Sequence, residues 1–331
     1  MILAGDIGGT KCNLAVFEVE RGALALRAEQ KYSSREHSNL EEIIRLFLGK
    51  HKFEHTHACF GIAGPVKNGR SLLTNLRWTI DAQAVAKEFA LEKVSLLNDL
   101  QANAHGIAAL PPEDFFILNK GEAVSDGNQC IIAAGTGLGE AGIIWNGNRR
   151  IAIASEGGNC DFAPRTELDM ELLRHLQKQF GEVLWEHVLS GQGQVNIYNF
   201  LRDTKRGEEP AWLAEEFRKG ELPPPAVITK NALAKKSPLC EAALDLFATY
   251  YGAEAMSLAL KFLATGGVFV GGGIAPKIIE KLKDGSFMKG FLGQHRYHDL
   301  LVAMPVKVIL NEKTALLGAA RFAAMEAGLI S

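Results

Sequence analysis

Three glycine-rich turns lie far apart along the 331-residue chain, each at the edge of an apolar run rich in β-branched residues. In chain order the first, second and third glycine turns read Gly5-Asp6-Ile7-Gly8-Gly9-Thr10, Gly135-Thr136-Gly137-Leu138-Gly139 and Gly266-Gly267-Val268-Phe269-Val270-Gly271-Gly272-Gly273. Residues without a Cβ let backbone N–H groups close around an anion, and neighbouring strands hold such turns rigidly. The pattern predicts a nucleotide that is held by its phosphates between two domains.

Two familiar single-loop phosphate signatures do not match these turns. A Walker A loop needs a second glycine five positions after the first, but Thr10 stands at that place after Gly5. A dinucleotide fingerprint that began at Gly135 and Gly137 would need its third glycine where Glu140 stands. The nucleotide site is therefore of another kind.

Asp99 is the candidate for a catalytic carboxylate. It follows a predicted strand at 94–97 and precedes a predicted helix at 100–109, which places it at the carboxyl end of a strand. In phosphoryl transfer the protein mainly positions the reactants and neutralises charge, and an aspartate takes the proton of the attacking hydroxyl. Asn98 beside it can bind hydroxyl groups, although on spacing alone the Asn-Asp pair fits a plain helix N-cap better.

A second polar cluster runs Ser155-Glu156-Gly157-Gly158-Asn159-Cys160-Asp161-Phe162-Ala163-Pro164. Its carboxylates and amide can hold pairs of hydroxyl groups, and its glycines permit a close approach of the backbone, so the loop suits a polyhydroxyl ligand. Glu186 is a third candidate anchor. Taken alone, Glu186 fits an exposed helical position better.

The order of predicted elements repeats along the chain. A first series has strands at 2–6, 13–19, 24–32, 58–62 and 94–97 and a helix capped by Ser38. After the paired prolines at 111–112, a second series has strands at 129–134, 141–145, 150–153, 268–270 and 306–310 and helices at 167–180, 194–201, 242–265 and 314–327. Each series opens with a strand that ends in a glycine turn, so we expect a duplicated α/β fold with the nucleotide in a cleft between two lobes. The run at 223–225, three prolines, is expected in a surface loop.

Composition limits the class of protein. The chain is 47% hydrophobic and 22% charged, as in ordinary globular proteins, and its net charge of -2 gives no field that would favour nucleic acid or an anionic membrane. The first strand meets an aspartate at once, unlike a secretion signal, and the helix predicted at 242–265 carries too many charges to span a bilayer. An odd number of widely spaced cysteines argues against a disulfide framework or a zinc site and favours the cytoplasm; they are Cys12, Cys59, Cys130, Cys160 and Cys240.

Taken together, these residues resemble the bacterial glucokinase family, in the branch that lacks the zinc-binding repressor-and-kinase signature. The matching stretches are residues 5–10, 74–78, 98–99, 134–139, 156–158 with 161–164, 188–191 and 266–274. Because these stretches are spread over essentially the whole chain, their combination is specific for this family. The resemblance implies the two-lobed, duplicated ribonuclease H-like fold of actin-like ATPases with an interlobe cleft. It also implies a small α/β lobe at 1–109 plus 313–331 and a large α/β lobe at 110–312.

The resemblance also implies a role for each matching residue. Asp99 would be the general base that draws the proton from the C6 hydroxyl of a sugar, and Asp6 would orient Mg²⁺ through water. The other sugar hydroxyls would be held by Asn75, Asn98, Glu156, Asn159 and Glu186. ATP would be bound by Gly5, Asp6, Ile7, Gly8, Gly9 and Thr10, by Gly135, Thr136 and Gly137 from the other lobe, and by Gly271, Gly272 and Gly273 beside the adenosine.

One residue departs from the family pattern. The position two after Glu156-Gly157 is usually histidine in the family, and here it is Asn159, whose amide can bind a hydroxyl but cannot titrate. The expectation is an ATP-dependent glucokinase, a homodimer in the cytoplasm, with altered sugar affinity or anomer preference. The alternatives are a kinase of another hexose, a non-catalytic sugar-sensing regulator and an actin-like or chaperone ATPase. Against the regulator, the sequence leaves no room for a DNA-binding helix-turn-helix before the first strand.

Overall fold

The computed structural model describes residues 1–51, 56–73, 75–293 and 296–330. Thr74, in one of the matching stretches, lies outside the described residues. The chain forms two compact units: the first comprises Met1–Asp114, Ile151–Ala154 and Asn311–Ser331, and the second comprises Phe115–Arg150 and Ser155–Leu310. None of the described helices is long and apolar enough to cross a membrane.

The chain contains both runs of strands and runs of helices, with five successive α-helices between Ala154 and Gly267. The strands are β1 (Ile2–Ile7), β2 (Lys11–Glu20), β3 (Ala23–Ser33), β4 (His57–Ile62), β5 (Val66–Lys67), β6 (Arg70–Leu73), β7 (Trp78–Asp81), β8 (Lys93–Asn98), β9 (Phe115–Asn119), β10 (Gln129–Ala134), β11 (Leu138–Trp145), β12 (Arg150–Ala154), β13 (Gly267–Gly271) and β14 (Val306–Ile309). The helices are α1 (Leu40–Lys50), α2 (Ala82–Glu88), α3 (Asp99–Ile107), α4 (Glu167–Phe180), α5 (Gly191–Asp203), α6 (Ala211–Lys219), α7 (Pro224–Leu233), α8 (Pro238–Phe262), α9 (Ile279–Lys283), α10 (Ser286–Leu292), α11 (His298–Ala303) and α12 (Thr314–Glu326).

The two large sheets share one topology. The first has the order β3-β2-β1-β4-β8, with antiparallel β1-β2-β3 and parallel β1-β4-β8. The second has the order β12-β11-β10-β13-β14-β9, in which β10 pairs antiparallel with β11 and parallel with β13, and β13 pairs parallel with β14. The second sheet adds the antiparallel edge strand β9, and the first unit adds a small antiparallel sheet β5-β6-β7. The duplicated α/β fold expected from the sequence is therefore present.

The first unit encloses its sheet between two apolar layers. On one face the side chains of α1, among them Ile43, Ile44 and Phe47, pack with Leu3 and Phe60 in a fully buried cluster. On the other face α12 supplies a stripe of small residues that packs against β1 and α3; this stripe is Ala315, Ala319, Ala320, Ala323 and Ala324. Burial of such apolar area stabilises a sheet by roughly 25 cal/mol per Å². The sheet is thus a rigid support for residues at its edges.

Helices α3 and α12 cross at very short range. An ideal Cβ on Gly318 would lie 1.7 Å from the carbonyl oxygen of Ala102, and one on Gly106 would lie 2.0 Å from that of Thr314. A methyl group fits at neither place. Both glycines therefore permit the backbones of the two helices to touch.

The core of the second unit is larger and mainly helical. Fifteen of the 25 residues of helix α8 are buried, and α5, α7 and α10 pack around it with the apolar faces of β10, β13 and β14. Because helices and the sheet both pack against it, α8 is the central element of this unit. Strands β10 and β13 are apolar and buried from end to end apart from Gln129, as expected for interior strands of a covered sheet.

Two local predictions are wrong. The N-cap of α1 is Asn39, whose side chain accepts a hydrogen bond from Glu42 N, whereas the backbone N–H of Ser38 donates to the Glu42 carboxylate. The second of the three prolines is the first residue of α7, with Pro223 as its N-cap, so this run begins a helix rather than forming a loop. Proline suits the first turn of a helix because its missing N–H would have no partner there.

Candidate active site

The first glycine turn joins β1 to β2 and is held by the backbone. Gly8 N donates to the carbonyl oxygen of Lys11 at 2.9 Å, and Ser34 Oγ donates to that of Gly8 at 2.8 Å. The Asn75 side chain lies beside this turn, 3.8 Å from an ideal Cβ on Gly9. Gly5 and Ile7, also predicted to contact ATP, lie inside β1, where Gly5 leaves room for Phe60.

Asp6 stands near the end of β1, between Asn13 of β2 and Gly61 of β4. Within the ranges that the structure describes, its carboxylate forms no hydrogen bond or ion pair with protein. Burial without such a partner raises the pKa of Asp6 from 3.8 to about 6. A partly buried carboxylate without a protein partner fits a site that a cation occupies during function.

Asn98 and Asp99 lie where β8 passes into α3. Asn98 is buried; its Oδ1 accepts from Leu100 N at 2.9 Å and its Nδ2 donates to the carbonyl oxygen of Gly64 at 3.3 Å. Asn98 is thus the N-cap of α3, and Gln101 completes a capping box. Both polar atoms of the Asn98 amide have protein partners, and its sugar contact stays a prediction.

Asp99 is the first residue of α3 and is half-buried. Its Oδ1 accepts from Leu100 N at 2.9 Å, and its backbone carbonyl oxygen accepts from Asn103 Nδ2 at 3.0 Å. The N-terminus of a helix favours a negative charge at this position. The carboxylate is therefore fixed by its backbone and remains partly accessible to solvent.

Parallel pairing brings these residues to one edge of the first sheet. Ile7 of β1 is in register with Ile62 of β4, and Ile62 is in register with Asn98 of β8. An ideal Cβ on Gly61 would lie 3.9 Å from the Cα of Asp99. Asp6 and the first glycine turn, at the carboxyl end of β1, and Asp99, at the carboxyl end of β8, therefore lie at the same edge of the sheet, with β4 between the two strands.

The second glycine turn is fixed from two sides. Gly135 N donates to the carbonyl oxygen of Gly137 at 2.8 Å within the turn, and Gly191 N, at the start of α5, donates to that of Gly135 at 2.9 Å. Glu186 Oε2 accepts from Leu138 N at 2.9 Å, and an ideal Cβ on Gly137 would lie only 2.3 Å from the same oxygen. Glu186 thus contacts the predicted phosphate turn directly.

The polar loop at 155–164 packs on the strand that leaves this turn. An ideal Cβ on Gly158 would lie 2.0 Å from the carbonyl oxygen of Leu138, and one on Gly157 would lie 1.9 Å from Glu140 Oε2. The backbone contact at Gly158 requires glycine, and the absence of a side chain at Gly157 leaves room for the Glu140 carboxylate. The loop presents the exposed side chains of Glu156 and Asn159, and Asn159 Nδ2 donates to Glu156 Oε2 at 3.4 Å.

The third glycine turn lies beside the second. Gly272 has φ +80° and its ideal Cβ would lie 2.3 Å from the carbonyl oxygen of Ala134, which also accepts from Ile274 N at 3.2 Å. The backbone nitrogen of Gly273 is 4.0 Å from an ideal Cβ on Gly135. The second unit thus brings together both of its glycine turns, Glu186 and the polar loop. Among the predicted residues of this unit, Thr136 is exposed at the tip of its turn.

Sequence reasoning missed one buried acid beneath this cluster. Glu140, on β11, is 1% exposed, and the neighbouring acid Glu254 of α8 is also 1% exposed. Burial and the neighbouring Glu254 charge raise the pKa of Glu140 well above its usual value, and Lys261 Nζ lies 3.5 Å from the Glu254 carboxylate. The available signal was a glutamate at a buried position of an otherwise apolar strand.

Comparison with known proteins identifies the fold. A glucokinase from an Antarctic psychrotroph superposes with a TM-score of 0.84, at 27% identity, over 98% of each chain. The structure of a ROK family glucokinase from Streptomyces griseus, in complex with glucose and AMPPNP, superposes with a TM-score of 0.65 at 22% identity and covers 98% of this chain and 99% of that one. The fold is accordingly the actin-like ATPase fold of the sugar kinases.

Sequence comparison identifies the family. The family description "Glucokinase" matches residues 3–326. A curated glucokinase from Nostoc sp. (strain PCC 7120) is 41% identical over 98% of this chain and 99% of its own length. The chain belongs to the glucokinase family.

Proposed function

We propose that the protein transfers the γ-phosphoryl group of ATP to O6 of D-glucose, giving glucose 6-phosphate and ADP. The observation that carries this proposal is the placement of Asp6, Asp99 and the first glycine turn at one edge of a rigid sheet. A phosphate-binding turn, a carboxylate suited to a cation and a partly accessible carboxylate are the groups that phosphoryl transfer needs.

Asp99 is proposed as the general base. Its carboxylate takes the proton from the 6-hydroxyl group as O6 forms a bond to the γ-phosphorus, and the bond from the γ-phosphorus to the β–γ bridging oxygen breaks to release ADP. The hydrogen bond from Leu100 N holds the side chain in place without removing the carboxylate from solvent. Asp99 therefore keeps a defined position before substrate arrives.

The other hydroxyl groups of the sugar are proposed to bind Asn75, Asn98, Glu156, Asn159 and Glu186. Glu156 and Asn159 have exposed polar groups on a loop that two glycines fix against β11. Glu186 is half-buried, with one oxygen bonded to the second glycine turn. The geometry of Asn98 as the N-cap of α3 supports a role in which Asn98 positions Asp99 at least as well as it supports a contact of Asn98 with the sugar.

ATP is proposed as the donor, bound by Gly5 to Thr10, by Gly135 to Gly137 and by Gly271 to Gly273. The nucleotide analogue bound by the Streptomyces griseus relative supports this choice. Mg²⁺, the proposed metal, would neutralise charge on the phosphates, and Asp6 would orient it through water. No cluster of three or more metal-binding side chains occurs in the described part of the chain, so Asp6 with water and phosphate oxygens fits this ion better than an all-protein site.

The small lobe at 1–109 plus 313–331 and the large lobe at 110–312 are proposed to close on the sugar, which would exclude water from the reacting phosphate. We also propose a homodimer that acts in the cytoplasm; the unpaired state of all five cysteines supports a reducing compartment.

The test is a coupled assay of ADP production with and without hexoses, on wild type and Asp99→Asn. We expect ADP production that depends on glucose, and a turnover number roughly 10²–10⁴-fold lower in Asp99→Asn, with glucose binding retained. Asp81→Asn is the matched control, since Asp81 also stands at a helix N-terminus of the first unit. ATP consumption without a hexose would favour a plain ATPase, sugar binding without turnover would favour a regulator, and a better substrate than glucose would favour another hexokinase.

A further inference from the structure

The hydroxyl group of Tyr251 bridges two strands in the core of the second unit. Tyr251 lies on α8 and is 0% exposed. Its hydroxyl accepts a hydrogen bond from Ala134 N at 3.0 Å and donates to the carbonyl oxygen of Gly271 at 2.9 Å. Edge contacts from Phe247 and Phe287, with ring centroids at 6.0 and 5.8 Å, hold the ring. The hydroxyl is therefore fixed in a place where it both donates and accepts.

This bridge stands where two strands run into their glycine turns. The parallel register of β10 and β13 ends at the pair Ala133 and Gly271. The next residues along the two strands are Ala134 and Gly272, which lead into the second and third glycine turns. Beyond the end of the register, the Tyr251 hydroxyl and the bond from Ile274 N to the Ala134 carbonyl oxygen connect these turns.

We propose that Tyr251 is a positioning residue for the nucleotide, because its hydroxyl sets the spacing of the two glycine turns that would contact ATP. This inference rests on the proposed function. Because Tyr251 is fully buried, its side chain would not touch the nucleotide. It acts through Ala134 and Gly271, because removing the hydroxyl would remove the hydrogen bond that the Ala134 N–H donates and the one that the Gly271 carbonyl oxygen accepts. Donors that are held in place before binding cost no reorganisation when the phosphates arrive.

The test variant is Tyr251→Phe, which keeps the ring and removes one oxygen. Its matched control is Tyr250→Phe, because Tyr250 is adjacent, only 4% exposed, and donates to Asp169 Oδ1 at 2.8 Å. That aspartate accepts from the backbone at the start of α4, away from both glycine turns. Tyr250→Phe removes one buried hydrogen bond and Tyr251→Phe removes the two with Ala134 and Gly271, from adjacent positions of the same helix. Of the two variants, only Tyr251→Phe removes bonds to residues that lead into the glycine turns.

We expect Tyr251→Phe to raise the KM for ATP about tenfold and to reduce the thermal shift produced by ADP, which corresponds to roughly 1.4 kcal/mol of binding. The KM for glucose should stay within twofold, and Tyr250→Phe should leave both constants within twofold of wild type. The KM for ATP is measured at saturating glucose, because bound glucose also stabilises the folded state of a destabilised variant. Hydrogen exchange of the peptide at 131–139 is a second readout, and it should rise in Tyr251→Phe only.

Equal changes in both Michaelis constants, or equal effects of the two variants, would show that Tyr251 serves stability alone and would overturn the inference. Unchanged exchange at 131–139 in Tyr251→Phe would overturn it as well. Failure of the proposed function gives a different result, since wild type itself would then lack glucose-dependent ADP production. The two failures are therefore distinguished in one set of assays.

Discussion

Replacing Asp6 by asparagine should stabilise the protein in the absence of ATP and Mg²⁺. The carboxylate is partly buried and has no hydrogen-bond or ion-pair partner among the described residues, and its pKa rises from 3.8 to about 6 on folding because it loses hydration. Because the folded state holds the proton more tightly than the unfolded state, stability from this group is present below about pH 4 and is lost as the pH rises through 6. Asparagine cannot ionise, so the variant avoids this loss.

The size of the effect follows from the shift. A difference of about 2 pKa units at 1.36 kcal/mol per unit gives about 3 kcal/mol at pH 8. At pH 5 the linkage relation gives about 1.6 kcal/mol, so the advantage of Asp6→Asn over wild type should grow by about 1.4 kcal/mol between pH 5 and pH 8. The comparison of two pH values cancels the constant cost of placing an amide at this site.

Denaturant unfolding of both proteins at pH 5 and pH 8, without ligands, measures this growth. Asp81→Asn is the control: Arg70 and the N-cap hydrogen bonds lower the pKa of Asp81, so its ionisation is complete by pH 5 and the variant's stability difference should stay constant. A difference between Asp6→Asn and wild type that is the same at both pH values would refute the reasoning, because the carboxylate would then be solvated or paired.

Two further predictions concern the helix crossing and the polar loop. Gly318→Ala should lower the free energy of unfolding by at least about 2 kcal/mol in urea, because its Cβ would meet the Ala102 carbonyl oxygen at 1.7 Å. The control is Gly49→Ala at an exposed position of α1 with open space around it, which should raise the free energy of unfolding by up to about 1 kcal/mol. Equal effects of the two variants would show that the crossing of α3 and α12 is not tightly packed. Asn159→His should change the KM for glucose, mannose or glucosamine several-fold, because Asn159 lies on the polar loop beside Glu156. The kcat should stay within about twofold of wild type, because Asn159 is distant in sequence from the proposed base Asp99. Unchanged Michaelis constants in a steady-state assay would exclude Asn159 from sugar recognition.

The strands that carry the candidate site were predictable because their signal is local. A buried β-branched run that ends in glycine, as at 129–134, fixes both the strand and its turn. The face of α1 was predictable for the same reason, since Leu40, Ile43, Ile44 and Phe47 follow the helical period and are buried. The position of Asp99 at the start of α3 was predictable because the sequence changes there from a strand-like apolar run at 94–97 to a helical pattern.

The features that escaped prediction depend on contacts distant in sequence. The close approach of Gly157 to the Glu140 side chain is one example, and the hydrogen bond between Ala134 and Tyr251, more than a hundred positions apart, is another. Ser38 and Asn39 are equally good caps by type, and backbone geometry decides between them. Strand β9 pairs at an edge through β14, nearly two hundred residues later. Local patterns contain no information on such pairings.

The first unit has a consequence for how the protein is made. Its core joins Ile2 and Ala4 of β1 to Leu316 and Ala320 of α12, so residues from opposite ends of the described chain must meet. At a synthesis rate of about 5–20 residues per second, the ribosome needs roughly 10–40 s after Asp114 before α12 has been made. During that interval the nascent sheet exposes the apolar face that α12 will cover, while the residues of the second unit emerge as an almost continuous stretch. During synthesis the second unit should therefore complete its fold before the first unit does.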